Sequence, residues 1–411
     1  MPFRDLFEQV LNPSLCTTCG ACELACPERV IEFDGIVPRL RTGASDAVCG
    51  TCTDCLTVCP GRDPATPALE NELFGRTRTV EERWLGIVRQ MYGACSTEPE
   101  VFERSASGGS VTTLLVTAME CLELDHVLVM GRQAAQPWRS APVLRPRGTN
   151  LADYAQSTYQ LAPYLGALRY LMTERPGSRV AMVGLACHVQ GMRKLQAMDT
   201  RIGAWARAHV GFIIEIACSS GTTPAGTESM ITETLGLELS QVVELRYREG
   251  EYPGQMQVKT RDGATHLVPF WKAVKHFANN KTHRCLSCGD WMSGLADISV
   301  SDGDPNIFDA SLGARAIAKH GRVFVRTTQG ARVLQHAADK GVLEVWPLEL
   351  VGLNLGLERK RNRRASYERR DVPIPAGPIP GYIEEIEAIS DEEYLRTPEE
   401  RRARGLVKEE R

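Results

Sequence analysis

The sequence predicts a protein of mixed α+β and α/β class, in which a short cysteine-rich module precedes a larger α/β core. Two observations support this prediction. Eight of the fourteen cysteines fall in two runs before residue 60. From about residue 92 onward, apolar segments of strand length alternate with segments of helical period. The 411 residues suffice for two or three domains of ordinary size, so a module followed by a core fits the length.

Each cysteine run has the pattern C-x2-C-x2-C-x3-C-P, which is the ligand spacing of paired 4Fe–4S clusters. The first three thiolates surround one cluster, and the fourth, followed by proline, reaches the neighbouring cluster. Structural zinc sites use two spaced pairs of ligands, and a disulfide framework does not need two matching quartets. The spacing therefore predicts an N-terminal bacterial-type two-cluster ferredoxin fold. The predicted ligands are Cys16, Cys19, Cys22 and Cys59 for cluster 1, and Cys49, Cys52, Cys55 and Cys26 for cluster 2.

Composition and charge exclude several classes of function. The 48 basic and 51 acidic residues nearly balance, so nucleic acid is not an expected partner. The first fifteen residues contain charges and no apolar core of signal-peptide length. No later stretch approaches about eighteen uninterrupted apolar residues, so no membrane span is expected. We expect a cytoplasmic protein, in a compartment where thiols stay reduced and free to bind iron.

Composition divides the chain into four parts. Residues 1–75 form the cluster module, which ends in a segment rich in glycine and proline. Residues 76–91 form a charged linker, predicted to be helical around residues 80–90. Residues 92–357 form the core. Residues 358–411 form a charged, proline-containing C-terminal arm, which we expect to pack on a partner or on the chain's own core.

Within the core, periodicity predicts βα units first and a strand-rich region later. Helices are predicted at residues 111–122, 164–172 and 330–340. Strands are predicted at residues 126–130, 180–185, 243–248, 256–260, 266–270, 296–300 and 322–326. This pattern indicates parallel βα units together with antiparallel hairpins, without fixing the strand order.

Four further cysteines are candidate metal ligands of the core. Cys187 and Cys218 each close an apolar strand, where an open α/β sheet presents ligands, and Cys285 and Cys288 form a C-x2-C pair on a predicted loop. Four thiols from three segments fit a third 4Fe–4S cluster. They also fit a zinc knuckle, and Cys187 and Cys218 alone fit two buried thiols. The cysteines without a partner pattern are predicted to be packing residues: Cys95 and Cys121.

A Ser- and Gly-rich segment before the first core helix is a candidate phosphate-binding loop. Residues 104–112 read RSASGGSVT, so glycines and hydroxyls precede a helix N-terminus, which attracts anions. A plain N-cap is the alternative interpretation. A chain that carries one-electron clusters needs a device that handles one or two electrons, and flavin is such a device, so we expect a mixed α/β flavoprotein core. The absence of G-x-G-x-x-G from the sequence argues against ordinary Rossmann binding of NAD.

The core resembles the family of coenzyme F420-reducing hydrogenase and dehydrogenase beta subunits. The resemblance extends from about residue 92 to residue 364. The segments that carry it are SGG at 107–109, GLACHVQ at 184–190, CLSCGD at 285–290, ADIS at 296–299 and VRT at 325–327. The family also includes formate dehydrogenase beta subunits and reductases of chlorophyll-type tetrapyrroles. Its members bind FAD and a 4Fe–4S cluster, some of them behind a two-cluster ferredoxin module.

The resemblance implies a third cluster, held by Cys187, Cys218, Cys285 and Cys288, and an FAD site. The segment QSTY at 156–159 is similar to the family's Gly-Ser-x-Tyr, with Gln156 in place of glycine. The residues that the resemblance assigns to the FAD site are Ser107, Gly108, Gly109, Thr112, Ser157, Tyr159 and Arg326.

The function that the resemblance implies is that of an iron–sulfur flavoprotein oxidoreductase. Electrons pass between the 4Fe–4S clusters and FAD, and a hydride passes between FAD and a deazaflavin, coenzyme F420. A hydrogenase, dehydrogenase or ferredoxin is the expected redox partner, in a hetero-oligomer, and a small molecule is the expected acceptor. The candidate cations for the anionic tail of the coenzyme are Lys272, Lys275, Lys281, Arg284, Arg315 and Arg326.

Two alternative functions stay open. The first is a ferredoxin-dependent flavin reductase of a tetrapyrrole or another conjugated double bond, which needs a proton donor beside the flavin. The candidate donors are His188, Asp290, Asp297 and Asp302. The second alternative is a non-catalytic electron-transfer subunit of a larger complex.

Overall fold

The computed structural model describes residues 2–79, 81–82, 85–251, 254–303 and 319–348, together with Lys360. Across these residues the chain forms a small cluster module and a core built on an eight-stranded mixed sheet. The predicted C-terminal arm, apart from Lys360, lies outside the described residues, as does Arg315.

The cluster module consists of short helices and one hairpin. Its α-helices are α1 (Pro2–Leu6), α2 (Ala21–Ala25), α3 (Asp54–Thr57) and α4 (Thr66–Phe74). Its antiparallel strands are β1 (Ile31–Asp34) and β2 (Val37–Leu40). Before α2, Gly20 has φ +81°, and a Cβ there would lie 2.9 Å from the backbone nitrogen of Leu165. Only glycine therefore lets the first cysteine loop approach the core this closely.

Among the described residues, the core contains eleven strands, in two sheets. In chain order they are β3 (Gln90–Ser96), β4 (His126–Arg132), β5 (Ser140–Pro146), β6 (Val180–Gly184), β7 (Val210–Ile216), β8 (Val242–Glu249), β9 (Gln255–Thr260), β10 (Thr265–Pro269), β11 (Ile298–Asp302), β12 (Gly321–Val325) and β13 (Leu343–Pro347). The larger sheet has the order β13-β3-β12-β11-β7-β6-β4-β5. Its central strands β11, β7, β6 and β4 are parallel, and its outer pairs are antiparallel. The carboxyl ends of the four parallel strands therefore meet at one edge, which we call the carboxyl edge.

Helices cover both faces of the large sheet. The core helices are α5 (Pro99–Arg104), α6 (Ser110–Cys121), α7 (Arg169–Glu174), α8 (Ala186–Ala197), α9 (Arg201–His209), α10 (Pro224–Ser229), α11 (Phe270–Asn279), α12 (His283–Ser287) and α13 (Thr328–Asp339). Side chains alternate between the two faces along each strand. Phe212 and Ile214 of β7 pack with α6 and α13 on one face. Ile213 packs with α8, α9 and the module helices α2 and α4 on the other.

The smaller sheet, of order β10-β9-β8, is antiparallel and packs with α11 and with Met230 and Ile231, which follow α10, around a separate apolar cluster. It meets the carboxyl edge, because Arg248 of β8 forms an ion pair with Asp302 at the end of β11, with 2.6 Å between nitrogen and oxygen.

Polar contacts, some half-buried and some buried, attach the module to the core. The Arg169 guanidinium donates hydrogen bonds to the carbonyl oxygens of Glu23, Leu24 and Cys26 at 2.5–2.9 Å. Arg78 pairs with Glu70 of α4 at 2.6 Å and also donates to the Ser293 carbonyl of the core at 2.6 Å. These contacts, together with the shared apolar cluster around α2 and α8, bind the two parts through a continuous buried interface.

The predicted fold class is confirmed, and several predicted elements need correction. Among the described residues of the segment 80–90, the chain forms turns and enters β3 at Gln90, so the predicted linker helix is wrong there. Strand β6 ends at Gly184, and Cys187 lies in the first turn of α8 rather than at the end of a strand. Cys285 lies in the short helix α12, not on a loop. No helix of the described residues is long and apolar enough to cross a membrane.

Candidate redox site

The eight cysteines of the module form two groups in space. The first group contains Cys16, Cys19, Cys22 and Cys59. The second group contains Cys26, Cys49, Cys52 and Cys55. The fourth cysteine of each run therefore lies with the first three cysteines of the other run. This exchange is the arrangement that a bacterial two-cluster ferredoxin requires, although the assignment of individual ligands stays a prediction.

Burial changes the acidity of these thiols. It raises the pKa of Cys16 to about 12 and that of Cys19 to about 11; the neighbouring cysteines add to the rise, and hydrogen bonds of smaller effect oppose it. In the second group, burial likewise raises the pKa of Cys55 to about 12. Buried thiols of this kind become thiolates when a metal replaces the proton. Among the described residues, no three Cys, His, Asp or Glu side chains converge on one metal-ion position. Cluster ligands surround a larger body and do not need such convergence, so this result does not argue against clusters at the two groups.

The four candidate cysteines of the core also lie together. The thiol of Cys187 interacts electrostatically with Cys218, Cys285 and Cys288, and with Cys19 of the first module group. Burial is the main reason that its pKa is raised well above the ordinary value. Cys187 lies in the first turn of α8, and Cys218 lies in the segment after β7. Cys285 lies in α12, and Cys288 directly follows that helix. These four cysteines form what we call the core group.

Hydrogen bonds position the members of the core group. The backbone N–H of Cys218 donates to the Trp291 carbonyl at 2.9 Å. The N–H of Cys285 donates to the Thr282 hydroxyl at 3.2 Å, which caps α12. The Sγ of Cys288 lies 3.9 Å from the carbonyl oxygen of Asp290.

Helix α8 lies between the core group and the first module group. Four residues after Cys187, a Cβ on Gly191 would lie 3.6 Å from the Sγ of Cys19 and 3.0 Å from the Cβ of Ala21. The Lys194 ammonium, one turn further, donates to the Cys59 carbonyl at 3.1 Å. The first module group therefore packs directly on the helix that carries Cys187.

The Gly-rich loop is a tight turn that leads into α6. Gly108 and Gly109 have φ +76° and +75°, a conformation that favours glycine. A Cβ on Gly108 would lie 2.6 Å from the carbonyl oxygen of Lys319. Gly109 is the N-cap residue of α6, and no side chain caps the helix. The loop is thus a glycine N-cap, so the alternative interpretation of a plain N-cap stays open. Thr112 lies buried in the first turn.

A chain of polar contacts connects this loop to the QSTY segment. The Ser107 hydroxyl donates to Asp302 at 2.6 Å, and the other carboxylate oxygen of Asp302 accepts from Arg248 at 2.6 Å. The Tyr159 hydroxyl interacts with the side chains of Ser157 and Arg248. Burial acts to raise the pKa of Asp302, but Arg248 and Ser107 outweigh it and hold the pKa below its ordinary value. Asp302 is therefore an ionised acceptor, and the Ser107 hydroxyl is already engaged by it.

The structure does not bring Arg326 to this loop. Its guanidinium donates to the Ser299 hydroxyl at 2.6 Å and to the Ile87 carbonyl at 2.8 Å. Ser299 and Asp302 are three residues apart on β11, which is about 10 Å along the strand, and their side chains point to opposite faces. Arg326 is thus a buried structural cation on the α8 face of the sheet, away from the Gly-rich loop.

The candidate cations for an anionic coenzyme tail differ in exposure. Lys272 and Lys275 are exposed on α11, and Lys281 is half-buried. Arg284 is buried, and its positive charge acts to lower the pKa of the Cys59 thiol in the first module group, against the larger effect of burial. Lys272 and Lys275 are therefore the solvent-exposed members of this set among the described residues.

The candidate proton donors have structural partners. The His188 ring stacks on Tyr164 at 4.5 Å, and burial lowers the pKa of His188 to about 3, so it stays neutral. Asp297 accepts hydrogen bonds from the Ile213 N–H at 3.0 Å and the Thr327 hydroxyl at 2.7 Å. Asp290, buried beside Cys288, accepts from the Gln190 amide at 3.1 Å.

Sequence reasoning missed two arginines at the carboxyl edge, Arg132 and Arg248. Arg248 lies in β8, where charged and apolar residues alternate, and is only 4% exposed. Arg132 is the last residue of β4. Ser140 contacts both Arg132, through its hydroxyl, and the buried amide of Gln160, through its backbone N–H. Arginines placed within or at the end of apolar strands are unusual, and that placement is the signal that could have identified them.

Comparison with protein families identifies the core. The model for the N-terminal part of coenzyme F420 hydrogenase/dehydrogenase, beta subunit, matches residues 91–169, and the model for its C-terminal part matches residues 177–350. Together they span more than half of the chain. The chain belongs to the family of coenzyme F420 hydrogenase/dehydrogenase beta subunits. A model for a 4Fe–4S binding domain matches residues 10–32, which contain the first cysteine run. The resemblance read from the sequence is confirmed.

Two proteins from Methanosarcina species are similar over most of the chain. Coenzyme F420 hydrogenase subunit beta of Methanosarcina barkeri is 25% identical over 306 residues, which cover 72% of this chain and 98% of that protein. A subunit of the F(420)H(2) dehydrogenase of Methanosarcina mazei is 26% identical over 367 residues, which cover 86% and 92%. A chain in the solved structure of the F420-reducing [NiFe] hydrogenase complex from Methanosarcina barkeri matches with a TM-score of 0.56 at 24% identity, covering 74% of this chain and 100% of that chain. That likeness shows the fold.

Proposed function

We propose that this protein is an iron–sulfur flavoprotein oxidoreductase that passes electrons between 4Fe–4S clusters and FAD, and a hydride between FAD and the deazaflavin coenzyme F420. The observation that carries the proposal is a convergence at the carboxyl edge. The Gly-rich loop and Tyr159 are joined there through Asp302 and Arg248. The strands that precede Cys187 and Cys218 end at the same edge.

The proposed cluster ligands are the three cysteine groups. The second module group lies beside the first, since Cys22 and Cys55 interact electrostatically. The first module group interacts with the core group through Cys19 and Cys187. An electron that enters at the second module group therefore has a path through the first module group to the core group, next to the proposed flavin site.

The residues that would hold FAD lie at the carboxyl edge. FAD supplies the conversion between one-electron chemistry and hydride chemistry. The N-terminus of α6 after Gly108 and Gly109, where no side chain caps the helix, offers backbone N–H groups and a positive dipole to the pyrophosphate. Because the Asp302 carboxylate is ionised, it suits a hydroxyl donor of the cofactor rather than a phosphate. Ser157 and Tyr159 complete the proposed site. Arg326 is not part of the proposed site, because its guanidinium lies at Ser299 and Ile87.

Partners are proposed from the relatives. Those relatives are named as subunits of a hydrogenase and of a dehydrogenase. We therefore propose a hetero-oligomer in which a hydrogenase or dehydrogenase subunit, or a ferredoxin, exchanges electrons with the second module group. The small-molecule acceptor or donor is the deazaflavin.

The proposal is tested by an anaerobic assay of the purified full-length chain with its iron and flavin contents measured beforehand. Reduced coenzyme F420 is the electron donor and a viologen dye is the acceptor. The expected result is dye reduction that requires bound FAD and is lost in Cys187→Ser, with Cys121→Ser as the matched control outside the cysteine groups. Absence of turnover from protein with full iron and flavin would refute the hydride step and favour a non-catalytic electron-transfer subunit.

A further inference from the structure

Arg132 ends strand β4 at the carboxyl edge, beside the QSTY segment. Its Nη1 donates to the Gly131 carbonyl at 3.0 Å and the Thr158 hydroxyl at 3.2 Å, and lies 3.4 Å from the Ser140 hydroxyl. The guanidinium lies over the Tyr247 ring, 5.2 Å from its centroid. One side of the planar group is therefore held by hydroxyls and a carbonyl, and one face by an aromatic ring.

The other side of the Arg132 guanidinium has no partner among the residues that the structure describes. Both Nε and Nη2 are shielded from solvent and make no hydrogen bond with them. No carboxylate of the described residues pairs with Arg132, and burial lowers its pKa, opposed by Tyr247. A buried cation without a counter-charge is strongly destabilising. Such an arrangement is typical of a site that is completed by a ligand.

Nε and Nη2 are the two parallel donors of the side-on guanidinium fork, which binds a pair of adjacent acceptor atoms. A third donor lies close by. Gln160 is 3% exposed, its Oε1 accepts from the Ser140 N–H at 2.6 Å, and its Nε2 has no partner among the described residues. Arg132, Gln160 and Tyr247 together therefore offer donors, a positive charge and a ring surface. This set of groups suits a planar ligand with two adjacent acceptors and developing negative charge.

We propose that Arg132 is a positioning residue that binds the N1–C2=O edge of the flavin isoalloxazine ring, with the Gln160 amide as an additional donor. This inference rests on the proposed function. The N1–C2=O edge presents two adjacent acceptors at the spacing of the fork, and it carries the negative charge of the two-electron-reduced ring. Charge near N1 is one of the means by which a protein tunes a flavin. Arg132 therefore binds reduced FAD more tightly than oxidised FAD.

The test compares Arg132→Gln with the wild-type chain, both full length and loaded with iron. Flavin-free protein is titrated with FAD, and the midpoint potential of the bound flavin is measured spectroelectrochemically. We expect Arg132→Gln to weaken binding of reduced FAD at least about tenfold more than binding of oxidised FAD. This ratio corresponds to a midpoint lowered by about 30 mV for a two-electron couple. Arg132→Lys keeps the charge but not the fork, so it recovers part of the shift.

A matched control is Arg145→Gln. Arg145 lies on the adjacent strand β5, also over a tyrosine ring, at 5.1 Å, and its hydrogen bonds to Tyr154 and the Leu144 carbonyl are internal. This variant is expected to leave the midpoint unchanged. Flavin-free Arg132→Gln is expected to melt no lower than the wild type, since it loses an unpaired buried charge.

An unchanged midpoint in Arg132→Gln, which is the same as an unchanged ratio of the two affinities, would overturn the role of Arg132. If the flavin-free form of that variant also melted at a lower temperature than the wild type, Arg132 would have a structural role instead. A wild-type chain that takes up no FAD while holding its full iron overturns the proposed function itself, so the two failures are distinguishable.

Discussion

The ion pair between Arg78 and Glu70 predicts how strongly the cluster module is attached to the core. The side chains are 2% and 0% exposed and lie 2.6 Å apart. The Glu70 carboxylate also accepts the Arg78 backbone N–H at 3.0 Å, and Arg78 donates to the Ser293 carbonyl at 2.6 Å. Substituting Arg78→Met leaves a carboxylate buried without its partner. Breaking a buried pair in this way costs about 3–5 kcal/mol.

The chain contains a control pair a few residues away. Arg76 and Glu82 are 2.7 Å apart, but their side chains are 47% and 24% exposed. Exposed pairs are worth about 0–1 kcal/mol. With about 2 °C of melting temperature per kcal/mol, as for domains of 150–250 residues, Arg78→Met is expected to lower the melting temperature by at least about 6 °C. Arg76→Met is expected to lower it by no more than about 2 °C.

The assay is thermal unfolding of the full-length protein, followed by circular dichroism at one heating rate. The double variant Glu70→Leu with Arg78→Met is expected to recover part of the loss, because no charge then remains buried and unpaired. Equal shifts for Arg78→Met and Arg76→Met would refute the reasoning, since the buried pair would then contribute no more than the exposed one.

Three further predictions concern the redox site. Cys285→Ser is expected to remove about a third of the iron, one cluster of three, whereas Cys121→Ser removes none; iron analysis of both variants decides. Gly108→Ala places a Cβ 2.6 Å from the Lys319 carbonyl at φ +76°, so we expect loss of bound FAD in a flavin assay. Gly177→Ala, which meets nothing within 4 Å, is the control. Gly191→Val crowds Ala21 and Cys19. We expect it to slow electron transfer to the core cluster while the iron content stays unchanged. Stopped-flow absorbance measures the rate, and an unchanged rate would contradict the proposed path through α8.

Local patterns were sufficient for the class of the protein and for the cysteine groups. Cysteine spacing is a short-range signal, and it predicted which fourth cysteine lies with which run. The helix predicted at residues 111–122 is α6, and the strand predicted at 126–130 lies within β4, because both have clear periodicity. The strand predicted at residues 180–185 is β6, but the placement of Cys187 at its end was wrong because the apolar character of the segment continues through Leu185 into the first turn of α8.

What local patterns could not predict is which distant segments meet. The contact of Ser107 with Asp302 joins residues 195 positions apart, and Arg248 links both to Tyr159 only because the small sheet packs at the carboxyl edge. Arg326 illustrates the converse. It follows a strand that belongs to the family's pattern, but β12 runs antiparallel to β11, so its carboxyl end points away from the edge where the Gly-rich loop lies.

The packing of the module on α8 has a consequence for electron transfer. Cys187 and Gly191 are four residues apart, about 6 Å along the helix axis. One rigid helix therefore sets the separation between the core group and the first module group, rather than a flexible linker between two domains. The first module group is the better shielded of the two, since Cys19, Cys22 and Cys59 are buried, whereas Cys49 and Cys52 of the second group are partly exposed. Exchange with a partner is therefore expected at the second module group, and it requires no detachment of the module from the core.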